Sequence, residues 1–133
     1  MTLDACTANE RTSLAGVGED ATRAAFDLER DFNEACYDGL HPYHYLARAL
    51  LGAYAQAAHG KGKERHANAL PFQRQRMQTL AQGMGSSQGM TYQVCKKAQE
   101  CERMEPAAKI RELHGAIVYA AGAIVFEELR DDR

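Results

Sequence analysis

The chain has no tryptophan, three prolines in 133 residues, and no apolar run longer than the twelve residues from Gly115 to Phe126. Scarce proline, with abundant Ala, Leu, Gln, Glu and Arg, favours helix over sheet. Twelve apolar residues flanked by charges are too few to cross a bilayer as a helix, so no membrane association is expected. No stretch alternates apolar and polar residues as a half-buried strand does. No internal repeat occurs, nor any linker long enough to divide domains, so 1–133 reads as a single helical domain.

The four cysteines, Cys6, Cys36, Cys95 and Cys101, form no C-x-x-C pair, which excludes the usual zinc modules. Without a secretory leader pattern the thiols are expected to be free, in a reducing, cytoplasmic setting. No helix-turn-helix or other nucleic-acid motif is present, and the formal net charge is −2, so nucleic acid is not the expected partner. No Ser–His–Asp or Cys–His arrangement is defensible, and no catalytic residue is assigned.

The small net charge hides a polarised layout. Residues 1–45 carry a net −6, residues 46–97 a net +7, and residues 98–133 a net −3. The positive block centres on His59 to Arg76, H-G-K-G-K-E-R-H-A-N-A-L-P-F-Q-R-Q-R. It holds five cations, Lys61, Lys63, Arg65, Arg74 and Arg76, against one acid, Glu64. Charge segregated in this way points to a local anion site more than to a general polyanion-coating surface. Gly60 and Gly62 would let backbone N–H groups approach an anion closely. Arg65 and Arg74 could clamp phosphate oxygens bidentately, and His66 or Phe72 could contact a base or sugar. The stretch is not a P-loop, which needs G-x-x-x-x-G-K-[ST] between a strand and a helix; here Glu64 follows the lysine and a helix precedes the loop. The competing reading is a solvated basic connection favoured by the C-terminal dipole of the preceding helix.

Five helices are expected around this stretch. After an irregular or mobile arm over 1–18, the first runs from about Ala21 to Tyr37, with Asp20 as N-cap and Asp38-Gly39 as stop. The second opens at Pro42, carries the stripe Leu46, Leu50, Ala53, Tyr54 and Ala57, and stops at Gly60. The third runs from Phe72 to Gln82 behind Pro71. The fourth runs from about Gln88 to Met104, with Met90, Val94, Ala98 and Cys101 as its stripe. The fifth starts at Pro106 and reaches about Arg130, lined by Ile110, Leu113, Ile117, Ala121, Ile124 and Val125. Because it is apolar almost all round from Gly115 to Phe126, it should be buried centrally or pack on a second copy of the chain. Gly115, Ala116, Ala120 and Gly122 would let another helix approach closely. The expected architecture is therefore an all-α bundle of about five helices, a homo-oligomer through the C-terminal helix.

Two further clusters carry chemistry on paper. His41 and His44 lie three apart at a helix start, near Cys36 in sequence, yet spacing places no third metal ligand; capping and packing is the expected role, and no metal is assigned. His114 is expected to be a hydrogen-bonded core or interface histidine. Glu102-Arg103-Met104-Glu105 and Glu128-Leu129-Arg130-Asp131 resemble the paired acidic motifs of helical MazG-type nucleoside triphosphate pyrophosphohydrolases. That resemblance implies Mg²⁺-dependent pyrophosphate release. Pro106 separates the first pair from the helix whose far end bears the second, about 33 Å away at 1.5 Å per residue, so within one chain they could not share a metal.

Gly60 to Ala67, Pro71-Phe72, Lys96-Lys97-Ala98-Gln99-Glu100 and Arg111 to Ala121 (R-E-L-H-G-A-I-V-Y-A-A) together resemble small helical proteins of phage and prophage genomes. The resemblance implies a viral accessory role in the host cytoplasm. Such small helical oligomers include proteins that sequester the cyclic-nucleotide signals of bacterial immunity. The expectation is non-catalytic binding of a phosphorylated small molecule or nucleotide at Gly60, Lys61, Gly62, Lys63, Arg65, His66, Phe72, Arg74 and Arg76, without a cofactor. The alternatives are the pyrophosphohydrolase and an inhibitor or adaptor that binds another protein.

Overall fold

The computed structural model describes residues 18–60 and 70–130. Five α-helices follow one another, and no strand occurs among the described residues: α1 (Gly18–Tyr37), α2 (His44–His59), α3 (Arg76–Met84), α4 (Gln88–Glu100) and α5 (Pro106–Glu128). Two short 3₁₀ turns, Phe72–Arg74 and Cys101–Arg103, precede α3 and follow α4. The expected arm over 1–18 lies almost wholly outside the described residues. By contacts the chain divides into two compact units, with the division after Arg48, inside α2.

In the first unit α1 starts at Gly18, earlier than the Asp20 cap predicted. Asp20 therefore sits inside the first turn, where the helix dipole still favours a carboxylate. The helix ends as the Asp38-Gly39 pair requires. The Asp38 N–H donates to the Glu34 carbonyl at 2.7 Å, and the Asp38 Oδ1 accepts from the Leu40 N–H at 2.9 Å. Pro42 stands two residues ahead of α2, in the turn, and the Tyr43 carbonyl accepts the Ala47 N–H. Ala35, Cys36 and Ala47 are buried.

The second unit is organised on α5, which packs against α4, α3 and both 3₁₀ turns. Its buried cluster is Ala81 of α3, Met90 of α4, and Ala123 and Phe126 of α5, with Met77 and Tyr119 packed alongside. The face of α5 that turns inward is the small-residue one, Gly115, Ala116, Gly122 and Ala123 with Phe126. The stripe expected to line the core is partly turned out: Ile110, Leu113 and Ile124 are exposed. Close approach decides this. A Cβ at Gly122 would meet Met77 Sδ at 2.8 Å and Met90 Sδ at 2.9 Å, and one at Gly115 would meet Lys97 Cε at 3.2 Å. Isoleucine on that face would exclude the two neighbouring helices.

The turn between α3 and α4 is built by Gly85, whose φ of 66° a side chain would strain. Its N–H donates to the Gln82 carbonyl and the Ser86 N–H to the Ala81 carbonyl, the paired bonds of a Schellman ending. Ser87 Oγ then donates to Glu127 Oε1 at 3.0 Å and ties this turn to the end of α5.

Candidate functional site

The basic stretch is seen at its two ends. Lys61, Gly62, Lys63, Arg65 and His66 lie outside the described residues. Gly60, Phe72, Arg74 and Arg76 lie within them. At the entry, Gly60 leaves α2 so close to the preceding turn that a Cβ would stand 2.9 Å from the Gln56 carbonyl oxygen. Its N–H donates to that same carbonyl at 3.2 Å. Glycine is needed here for close approach, which is a stop signal for α2 and is independent of any ligand.

At the exit, Pro71 sets an extended conformation (ψ 152°), and a 3₁₀ turn over Phe72–Arg74 follows. The expected third helix is thus broken at Gln75, whose ψ of 165° interrupts the helical run before α3 begins. The Gln75 side chain reaches back and donates Nε2 to the Leu70 carbonyl at 3.1 Å. Phe72 is half-buried, on a turn that packs against α5 and α3. It is less open than a stacking platform would be. Arg74 and Arg76 are both exposed, and neither makes an ion pair with another described residue. They flank the start of α3, whose first turn carries no acid and whose Gln75 makes no side-chain cap. Unsatisfied N–H groups and two guanidinium groups therefore share this end of the helix.

The two lysines of α4 are paired locally. Lys97 lies across Gly115, its Nζ 3.2 Å from Glu112 Oε2 and 5.8 Å from the centre of the Tyr119 ring. It is a neutralised strut between α4 and α5. Lys96 pairs loosely with Glu100 at 3.9 Å.

The acidic pairs stay apart. Glu102 lies in the 3₁₀ turn after α4, Glu105 is the N-cap of α5, and Glu128 ends that 23-residue helix. The separation is about 33 Å at 1.5 Å per residue. Asp131 lies outside the described residues. No group of three metal-ligating side chains occurs among the described residues.

His41 and His44 take the capping role. His41 Nδ1 accepts the Tyr43 N–H at 3.0 Å, so its proton sits on Nε2, which donates to Asp31 Oδ1 at 2.9 Å. His44 has the opposite tautomer: Nδ1–H donates to the Ala35 carbonyl at 2.7 Å, in the last turns of α1. His114 packs on α2, where a Cβ at Gly52 would stand 2.6 Å from its Cε1; the hydrogen bond expected of it is not made to another described residue. Cys36 and Cys101 are buried free thiols, whereas Cys95 is exposed.

Sequence reasoning passed over Gln78. It is wholly buried, with Nε2 donating to the Gly122 carbonyl at 2.7 Å and Oε1 without a partner among the described residues. Its only sequence signal is position: Gln78 falls one residue after Met77 and three before Ala81, on the inward face of α3. An open cleft of about 420 Å³ lies nearby, lined by Gln82, Gly85, Phe126 and Arg130, none of them a residue singled out for ligand binding. No helix among the described residues is long and apolar enough to cross a membrane. No protein-family model, curated protein or solved structure matches the chain.

Proposed function

We propose that this protein binds a phosphorylated small molecule, a nucleotide or cyclic nucleotide, without transforming it. The basic stretch from Gly60 to Arg76 forms the site. The observation that carries the reading is the pair Arg74 and Arg76: exposed, without an ion-pair partner among the described residues, and set at an uncapped helix start. Two guanidinium groups there suit phosphate oxygens, by charge and by their forked donors. Lys61, Lys63 and Arg65 add charge, Gly60 and Gly62 leave room for the backbone, and His66 and Phe72 border the base or sugar. Sequestration of a cyclic-nucleotide signal in the host cytoplasm, as a phage counter-defence protein, is the role this chemistry suits. The protein self-associates through α5, whose outward face is apolar.

The test is calorimetric titration of purified protein with ADP, cyclic AMP and inorganic phosphate, followed by recovery of the nucleotide. Binding weakened about tenfold or more in Lys61→Ala/Arg65→Ala and in Arg74→Ala/Arg76→Ala, with nucleotide recovered intact, supports the reading; each lost charge-assisted contact is worth about 1.5–3 kcal/mol. Unchanged binding in both double variants refutes the site. Mg²⁺-dependent release of pyrophosphate, lost in Glu102→Gln, would establish the pyrophosphohydrolase instead.

A second reading, an inhibitor or adaptor that binds another protein, is favoured by one observation in the first unit. Phe26, Leu28, Tyr37, Leu40, Tyr43 and Tyr45 are all exposed there, Leu40 to 95% and Tyr45 to 86%. So many aromatic and aliphatic groups in water on one helical hairpin suit a protein-binding surface.

A further inference from the structure

We infer that α5 pairs with α5 of a second copy of this chain in antiparallel orientation, about a two-fold axis near its middle. The inference rests on the proposed self-association and fixes its geometry.

The outward stripe of α5 has a seven-residue period. Ile110, Ile117 and Ile124 recur every seven residues, and Leu113 and Ala120 follow the first two after three. This is the spacing of a coiled-coil seam. At roughly 100° per residue the seam lies across the helix from the buried face of Gly115, Ala116, Gly122, Ala123 and Phe126, so the two do not compete. The seam is open at both ends, with Ile110 54% and Ile124 58% exposed.

Charge selects the occupant and its direction. Lys109 and Glu127 are eighteen residues apart, five turns at about 3.6 residues per turn, and so stand on the same flank of the seam at opposite ends. In an antiparallel two-fold pair the same flanks meet. Lys109 of one copy then reaches Glu127 of the second, and the pair occurs twice. In a parallel pair opposite flanks meet, so Lys109 and Glu127 of the two copies would lie on opposite sides of the seam and no such pair would form. Lys109 makes no ion pair among the described residues; Glu127 holds Ser87 through Oε1 and stands 3.5 Å from Arg130 through Oε2, on the exposed flank. The same register packs large against small: Leu113 meets Ile124, Ile117 meets Ala120, and Ile110 covers the Glu127 methylenes. A second copy supplies both the apolar surface and the inverted charges.

Sedimentation equilibrium of the full chain over a dilution series tests this. A dimer is expected that dissociates in Ile110→Ser/Ile124→Ser, two exposed positions whose change leaves helicity by circular dichroism intact. Lys109→Glu and Glu127→Lys are each expected to weaken the dimer about tenfold at low salt, since both symmetry-related pairs become repulsive, and the combined charge swap restores it. A wild-type monomer at about 100 μM overturns both the self-association and its geometry. A dimer lost in the serine variant but indifferent to the charge reversals leaves self-association standing and overturns the antiparallel arrangement. A dimer indifferent to all of these places the interface elsewhere and overturns the inference.

Discussion

Gln78 of α3, with no exposed surface, donates its Nε2 to the backbone carbonyl of Gly122 in the middle of α5 at 2.7 Å. One glutamine thus docks a short helix onto the long one at the point where that helix has no side chain. The carbonyl already serves the intrahelical ladder, so Gln78 uses its second lone pair.

The balance at Gln78 is testable because its Oε1 has no partner among the described residues. A buried unsatisfied acceptor costs about 1–3 kcal/mol, similar to what the Nε2 bond returns. Gln78→Met, of similar volume, should therefore change the urea midpoint little, whereas Gln78→Ala should lose about 2–4 kcal/mol through the cavity. Gln78→Glu should be worst near neutrality. Burial raises a carboxyl's folded pKa above its unfolded value of roughly 4.3, so the loss grows as pH rises through that value. A stability profile of Gln78→Glu parallel to wild type from acid to neutral pH would contradict this burial.

Two glycines in helices should respond oppositely to alanine. At Gly122 a Cβ meets the sulfurs of Met77 and Met90, both packed in or against the core, and overpacking should cost about 1–3 kcal/mol against a gain of about 1 kcal/mol in helix propensity. At Gly89 on α4 nothing lies within 4 Å, so Gly89→Ala should stabilise by about 0.5–1 kcal/mol. Thermal unfolding of the two variants reads the difference directly; shifts of the same sign would mean that α3, α4 and α5 do not meet at Gly122.

The histidine pair gives a prediction that a metal site would not. The imidazole ¹⁵N resonances should report His41 protonated on Nε2 and His44 on Nδ1 at neutral pH, unaffected by Zn²⁺. His44→Ala should cost about 1 kcal/mol, the worth of a hydrogen bond to the α1 carbonyl, and His44→Asn, which keeps a donor near Nδ1, should recover most of it. A shared tautomer, or resonances moved by Zn²⁺, would contradict the hydrogen bonds that assign them.

Phosphate binding at the exposed guanidinium groups of Arg74 and Arg76 should weaken with salt. Between about 0.05 and 0.5 M NaCl the Debye length falls from roughly 14 to 4 Å, so affinity for ADP should drop several-fold with no change in helicity. Salt-independent binding would place the ligand in a buried site.

Much of the helical layout was legible in the chain. Asp38-Gly39, Gly60, Pro71, the Gly83–Ser87 break and Pro106 act on backbone torsions within one or two residues, so they mark boundaries wherever the rest of the chain lies. The ends that slipped, at Gly18, His44, Gln75 and Glu100, are those where no such residue compels a stop, or where a 3₁₀ turn replaces the last turn of helix. The basic stretch was legible as charge, while the split between Lys97, neutralised by Glu112, and Arg74 and Arg76, left open, was not; ion pairing depends on which helix comes alongside.

The sequence alone determined that the described residues form five helices and that the chain carries its positive charge in the middle, because helix propensity, breakers and charge are properties of short segments. Only the tertiary structure decided which side of α5 faces inward, that a glutamine belongs in the core, and which partners His41 and His44 bond. A helix apolar on both sides has no preferred face until neighbours compete for it. The small-residue side wins since only there can Met77, Met90 and Lys97 come close enough to pack, and the isoleucine stripe is left for water or a partner.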